Sequence, residues 1–194
     1  MVKTLLIWDV DDVLNDLTRS WFSASQWAAE IRYEELTKNP PHEILGCSKE
    51  EYLGSLDEFR AHHLAELTPE REVTEFFRVH GAEFRHAALS AVPRRFAGVA
   101  ARWVMEHYGD WIRSYSFVPS PRNGDAFPDY GGSKAEVLAA NFPAGALLID
   151  DSETNLAAAR ERGFDTVLWP RPWNRAARRS PLAVLEEIIE KYGG

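Results

Sequence analysis

The sequence predicts an α/β fold: a doubly wound, parallel, five-stranded sheet with helices on both faces and a small all-helical insert after the first strand. Three observations carry this expectation. Short apolar runs of strand length recur along the chain, from "LLIW" near the start to "TVLW" near the end. From Pro69 onward these runs alternate with stretches of helical period, the pattern of strand–helix–strand units. The segment from Asn15 to Leu67 breaks that rhythm and carries helical patterns only.

Taken in order, "KTLLIWDV" is a continuous apolar run, as expected of a strand buried on both faces. Asn15 is placed to cap a following helix whose stripe is Leu17, Trp21, Ala24, Ala28 and Ile31. Pro40 and Pro41 break that helix. Ser48 with Glu51, and Ser55 with Glu58, have capping-box spacing, and a helix is predicted through "LDEFRAHHLAEL". Thr68-Pro69 reads as an N-cap followed by proline at the first helical position, opening a helix Pro69–His80. A strand "EFRHAALS" ends at Ser90, a helix follows over Arg94–Tyr108, and a strand "SYSFV" ends at Val118. The loop "PSPRNGDAFPDYGG" leads to a capping box at Ser133 and Glu136 and the helix "KAEVLAANF". Strand "GALLID" ends at Asp150, helix Glu153–Arg162 closes at Gly163, and strand "DTVLW" precedes a last helix from Pro181. The 194 residues therefore divide into a core of residues 1–14 and 68–194 and a helical cap of residues 15–67, which holds ten acids against five bases.

Composition narrows the function. A net charge of −8 disfavours a nucleic-acid polymer as partner, because affinity for a polyanion comes mostly from phosphate neutralisation. Arg171, Arg175, Arg178 and Arg179 cluster in "RPWNRAARR" and read as a solvated face. Cys47 is the single cysteine, so no internal disulfide forms. No apolar run reaches the length of a membrane span and none is flanked like a signal peptide, so no membrane partner and a cytoplasmic location are expected.

The chemistry lies at the strand ends. "LLIWDVDDVLND" delivers Asp9, Asp11 and Asp12 at the mouth of a buried strand. Two carboxylates about 4 Å apart repel by roughly 4 kcal/mol at an effective dielectric of ~20, so such crowding calls for a cation or a retained proton. Ser90 ends the second strand, Lys134 opens a helix, and Asp150 and Asp151 end the fourth strand. In a doubly wound sheet all of these fall on the carboxyl edge, where ligands bind beside the reversal of strand order.

In that order these residues resemble the motifs of the haloacid dehalogenase superfamily of phosphohydrolases. "DVDDVL" is similar to its first motif, "AALS" to the second, Lys134 in "GGSKAEVL" to the third and "LLIDDSETNLAAARERGF" to the fourth. The resemblance spans Leu5 to Phe164, and Asp12 stands where glycine is commonest. It implies a Rossmann-like core with a cap, and a hydrolase acting on a small phosphorylated metabolite such as a nucleotide or sugar phosphate. Asp9 would be the nucleophile that forms an aspartyl-phosphate, and Asp11 the general acid and then base. Mg²⁺ would be held by Asp9, the backbone carbonyl of Asp11 and Asp151, with Asp150 helping through water or by orienting Lys134. Ser90 and Lys134 would grip phosphoryl oxygens. The aromatic-rich first helix is reminiscent of deoxyribonucleotidases within the superfamily, and Phe22 and Trp21 are the expected specificity residues. A phosphomutase and a non-catalytic phosphate-binding module are the alternatives; a dehalogenase would lack Asp11.

Overall fold

In the computed structural model, which describes residues 3–123, 125–128 and 131–193, the first apolar run forms the centre of the molecule. Strand β1 (Leu5–Trp8) is flanked by β2 (Arg85–Val92) on one side and β4 (Leu147–Asp150) on the other. With β3 (Ile112–Pro119) and β5 (Asp165–Leu168) at the edges, the sheet order is β3-β2-β1-β4-β5, and every pairing is parallel. The alternation of side chains along β1 divides the core in two. Leu6 and Trp8 face the layer that holds α3 (Arg71–His80), α4 (Arg94–Tyr108) and α7 (Pro181–Tyr192). Ile7 faces Leu138 of α5 (Lys134–Asn141) and Leu156 and Ala159 of α6 (Glu153–Arg160). Helices therefore cover both faces, which is why β1 and β4 are apolar throughout their length until the final aspartates.

This order sets the site. The chain leaves β1 toward one neighbour and enters β4 on the other side, so the loops after the two strands diverge and leave a crevice at their carboxyl ends. The 15–67 segment supplies α1 (Leu17–Ala24), α2 (Lys49–His63) and three short 3₁₀ turns, two between these helices and one after α2. No described helix is long and apolar enough to cross a membrane.

Several expected boundaries move, each for a local reason. The first helix of the insert stops at Ala24 instead of continuing through Ile31. The Ser25 hydroxyl donates back to the Phe22 carbonyl at 2.7 Å, and Trp27 folds against Trp21, ring centroids 5.7 Å apart. Ser48 caps α2 by accepting from the Glu51 N–H, but Ser55 lies inside the same helix and accepts from Trp21 Nε1 instead of capping. Thr68 and Pro69 do not open α3. Pro69 bridges Asn15 in an antiparallel pair and the Glu70 N–H donates to the Leu14 carbonyl at 2.8 Å, so this stretch is extended and is laced to the other end of the insert. The long loop after β3 includes residues 124, 129 and 130, which lie outside the described residues.

A buried histidine ties β1 to β2. Trp8 Nε1 donates to His86 Nδ1 at 3.1 Å, and His86 Nε2 meets the Gly81 carbonyl at 2.9 Å. The ring is thereby neutral, with its proton on Nε2. Burial pushes its pKa down to about 4 from 6.5, against the opposing bond to Gly81. Between those two values the unfolded chain binds a proton that the folded chain refuses, so stability is lost as pH falls through that window. Urea unfolding from pH 7 to pH 4 should show wild type losing up to about 3 kcal/mol more than His86→Asn; parallel losses in the two proteins would show that His86 does not titrate with folding.

Candidate active site

Asp9 follows β1 directly, and its N–H extends the ladder by donating to the Ile149 carbonyl at 2.9 Å. Its Oδ1 accepts from the Val10 N–H at 2.7 Å, which leaves Oδ2 directed at Lys134 Nζ, also at 2.7 Å. Lys134, the first residue of α5, places the same ammonium 2.7 Å from Asp150 Oδ2. The three groups are buried together. Burial works against the Lys134 charge, yet Asp150 and Asp9 more than offset it and hold its pKa above the ordinary lysine range.

The two aspartates of the fourth motif do different things. Asp150 is 0% exposed and its carboxylate is saturated: Oδ1 accepts from the Ser152 N–H and Asn155 Nδ2, and Oδ2 from Lys134 and Asn155. Asp151 borders the crevice and has one oxygen engaged, Oδ2 with Trp173 Nε1 at 2.6 Å. One oxygen from each of Asp9, Asp150 and Asp151 lies within 4.8 Å of the others. Three carboxylates against one ammonium leave an excess of buried negative charge. Burial, with Asp150 and Asp11 beside it, pushes Asp9 up to about 8 against the pull of Lys134, and burial, Asp150, Asp12 and Asp9 raise Asp151 well above its usual range. Hard oxygen donors and unbalanced negative charge fit a small divalent cation at Asp9 and Asp151.

Asp11 has its side chain toward the insert. Its Oδ2 accepts from Arg60 Nη2 of α2 at 3.1 Å and its Oδ1 from Asn15 Nδ2 at 3.4 Å. Asp9, Asp11, Lys134 and Asp151 line one cavity of about 410 Å³ together with Leu17, Tyr52, Leu53 and Arg60 of the insert. Ser90 stands on β2 beside Ala91, which lines that cavity, but its buried hydroxyl is outside the lining and has no hydrogen-bond partner among the described residues. The expected specificity residues Trp21 and Phe22 are 1% and 3% exposed and do not line the cavity. Trp21 packs on Tyr52 and Trp27, and Phe22 on Tyr33, within the insert's own aromatic core. An insert this small has few other groups to bury, so the apolar stripe of α1 is used for packing.

No protein-family model matches this sequence, and no curated protein matches it. Solved structures do match in three dimensions. A haloacid dehalogenase-like family hydrolase from Streptococcus pneumoniae is similar with a TM-score of 0.62 at 12% identity, over 96% of this chain and 98% of that one. Protein Tyrosine Kinase A of Mycobacterium tuberculosis is similar at 0.57 and 20% identity, over 86% and 83%. A 2-haloacid dehalogenase from Pseudomonas syringae pv. Tomato is similar at 0.51 and 18% identity, over the full length of both chains. The chain has the haloacid dehalogenase-type fold. A hydrolase, a kinase and a dehalogenase share that fold, so the reaction is to be argued from the site.

Within this haloacid dehalogenase-type fold, two features around the first-motif loop are not evident from sequence. Asp12, at the position where the motif is commonly glycine, has φ 63° and ψ 13°, in the left-handed region. Aspartate is one of the few residues that tolerate it. Its carboxylate then accepts from the Thr18 N–H at 2.8 Å and the Thr18 hydroxyl at 2.5 Å, which satisfies a free amide at the start of α1. Asn15 Oδ1 serves a second one, Leu17 N–H, at 3.1 Å.

The other feature is the loop after β5. Arg171, expected on a solvated face, is buried: Nε donates to the Asp12 carbonyl at 2.8 Å, and Nη2 to Glu70 at 2.9 Å and to the Asn15 carbonyl at 3.4 Å. It thus holds both connections of the insert. Two residues on, Trp173 reaches Asp151, and Asn174 Nδ2 donates to the Asp151 carbonyl at 2.9 Å. The signal available in sequence was "RPWN", an arginine, a tryptophan and an asparagine directly after an apolar strand.

The Asp12 geometry predicts a graded response. Asp12→Asn keeps both the tolerance of positive φ and the oxygen acceptor, and denaturant unfolding should register a loss below about 1 kcal/mol. Asp12→Ala loses both and should cost about 2 kcal/mol or more. Equal losses would mean that neither the backbone conformation nor the cap matters.

Proposed function

We propose that the protein is a Mg²⁺-dependent phosphomonoester hydrolase that works through an aspartyl-phosphate on a small phosphorylated metabolite, with residues 1–14 and 68–194 as core and 15–67 as cap. The observation that carries this reading is the convergence of Asp9, Lys134 and Asp151 on one cavity that the insert also lines. The lone Cys47, free of any disulfide, suits the cytoplasm as its location.

Asp9 Oδ2 is the nucleophile: it attacks phosphorus, the bond to the leaving oxygen breaks, and Asp11 gives that oxygen its proton. Asp11, now a carboxylate, takes a proton from water as the water attacks the phosphorus of the acyl phosphate, which releases inorganic phosphate and restores Asp9. Lys134 orients Asp9 and binds a phosphoryl oxygen; Asp150, already saturated by donors, positions Lys134. Ser90 carries an unpartnered hydroxyl next to the cavity lining and is assigned to a second phosphoryl oxygen. Bound by Asp9, Asp151 and the Asp11 carbonyl, Mg²⁺ would neutralise charge on the phosphoryl group. Specificity passes from Trp21 and Phe22 to the insert residues that do line the cavity, Tyr52, Leu53 and Arg60.

Two measurements test this reading. Wild type should hydrolyse p-nitrophenyl phosphate with Mg²⁺ and stop in chelator, and Asp9→Asn should lose at least about 10³-fold in kcat while remaining folded, since an amide cannot be the nucleophile. Activity of Asp9→Asn within tenfold of wild type would remove Asp9 from that role. Asp11→Asn should be hurt far more on an alkyl phosphate, whose alkoxide must be protonated, than on p-nitrophenyl phosphate, by about 10²-fold or more in relative kcat/KM. Equal losses on the two substrates would leave Asp11 without an acid role.

A further inference from the structure

The same cavity is also lined by cations, Lys49, Arg60 and Arg122. Asp57 of α2 is buried and receives three guanidiniums: Arg60 Nη1 at 3.1 Å, Arg95 Nη2 at 2.9 Å, and Arg122 through both Nε at 2.7 Å and Nη2 at 2.9 Å. Arg60 and Arg122 line the cavity, and so does Lys49, which has no ion-pair partner among the described residues. Asp9, Asp11, Asp12 and Asp151 line the same cavity from the core. Asp57 is shared by three arginines, Asp11 accepts from Arg60 Nη2, and Asp125 at the exposed rim accepts the Arg122 backbone N–H. Arg60 is 7% exposed, and its buried Nε has no acceptor among the described residues. Arg122 Nη1 donates to the Ser120 carbonyl and hydroxyl and to the Pro121 carbonyl, so what the wall lacks is charge: three guanidiniums and Lys49 stand against the carboxylates of Asp57 and Asp11, and crowded cations repel.

We propose that the substrate carries a second anionic group, a carboxylate or a second phosphate on its leaving-group side, held by Arg60 and Arg122 with Lys49 at the rim. This deepens the phosphohydrolase reading and rests on it for the identity of the first phosphoryl group. Guanidiniums suit either anion, because their fork of donors matches carboxylate and phosphate oxygens. The two ends of the cavity then impose an orientation. The phosphoryl group goes to Lys134 and the acidic pair, while the second anion is repelled from Asp9, Asp11 and Asp151 and drawn to the arginines. Phosphorylated hydroxy acids and small bisphosphates fit this pattern; a neutral nucleoside as leaving group does not use it.

Binding of non-hydrolysable probes reads the subsite without turnover. Isothermal titration with Mg²⁺ present would compare propylphosphonate with 3-phosphonopropionate, which adds a carboxylate, and with propane-1,3-bisphosphonate, which adds a phosphonate. At least tenfold tighter binding of either probe that carries a second anion is expected, the arm that gains naming the anion. That gain should fall below threefold in Arg122→Gln. Lys49→Gln, at an exposed position, should lower it severalfold and serves if Arg122→Gln does not fold. No gain in either arm, or a gain unchanged in a folded Arg122→Gln, overturns the proposal. A gain that depends on Arg122 in a protein that hydrolyses no phosphomonoester would leave the subsite standing and remove the hydrolase reading. Hydrolysis of p-nitrophenyl phosphate with no gain in either arm would do the reverse.

Discussion

The structure depends on one buried ammonium. Lys134 Nζ sits 2.7 Å from both Asp9 and Asp150, at the ends of the two central strands that diverge to make the crevice. Without it, two buried carboxylates would face each other with only neutral N–H donors to offset their charge, and breaking a buried pair by removing one partner typically costs about 3–5 kcal/mol. The arrangement is nevertheless incomplete in charge, since Asp151 and Asp9 are both driven toward their protonated forms by burial. The fold thus stabilises the lysine side of the cluster by itself and leaves the Asp9–Asp151 side to be balanced by what binds there. Asp150 absorbs four donor contacts to do this, which is why the more deeply buried member of the acid pair is the structural one.

A second constraint follows from the length of β1. Only four residues of strand precede the turn that must deliver Asp9, Asp11 and the start of the insert. That turn reverses tightly through Asp12 at positive φ, and its carbonyl is taken by Arg171 from the loop after β5. The same arginine bonds Glu70 and the Asn15 carbonyl, and Asn15 bridges Pro69. The two chain connections that join the insert to the core are therefore held by one side chain that belongs to neither. A rotation of the insert relative to the sheet would have to bend the chain where Arg171 grips it, and so would strain contacts made by the loop after β5.

What is legible in the sequence follows from where the signal is local. The parallel five-stranded sheet is readable because strands buried on both faces are continuous apolar runs, and helices Arg94–Tyr108 and from Pro181 are readable because period and stop signals agree. Asp9, Lys134, Asp150 and Asp151 are readable as a group because an acid directly after a buried strand is expensive without a partner. The failures share a cause. Trp21 and Phe22 are expected at the substrate because the first helix is aromatic-rich, but which side of a short helix faces a cavity depends on what else the insert must bury. Arg171 reads as solvated because its neighbours in sequence are charged, whereas its burial comes from carbonyls more than 150 residues away, Asp12 and Asn15. Thr68-Pro69 has the composition of a helix start, and a long-range backbone pairing overrides it.

One cavity holds opposite charges at its two ends, and that asymmetry has a mechanical consequence. The core contributes four aspartates against Lys134 and Arg122, and the insert contributes the cations Lys49 and Arg60. Closing these ends on each other without a ligand would satisfy them directly, and one such contact exists, Arg60 to Asp11 at 3.1 Å. That contact joins the insert to the carboxylate that the proposed reaction assigns to the leaving oxygen's proton. A ligand that supplies an anion to Arg60 competes with Asp11 for the guanidinium, and so frees Asp11 in the same event that fills the cavity. In the proposed reaction, binding of the leaving group and release of the acid would be one rearrangement of a single arginine, coupled by the charge asymmetry of the cavity.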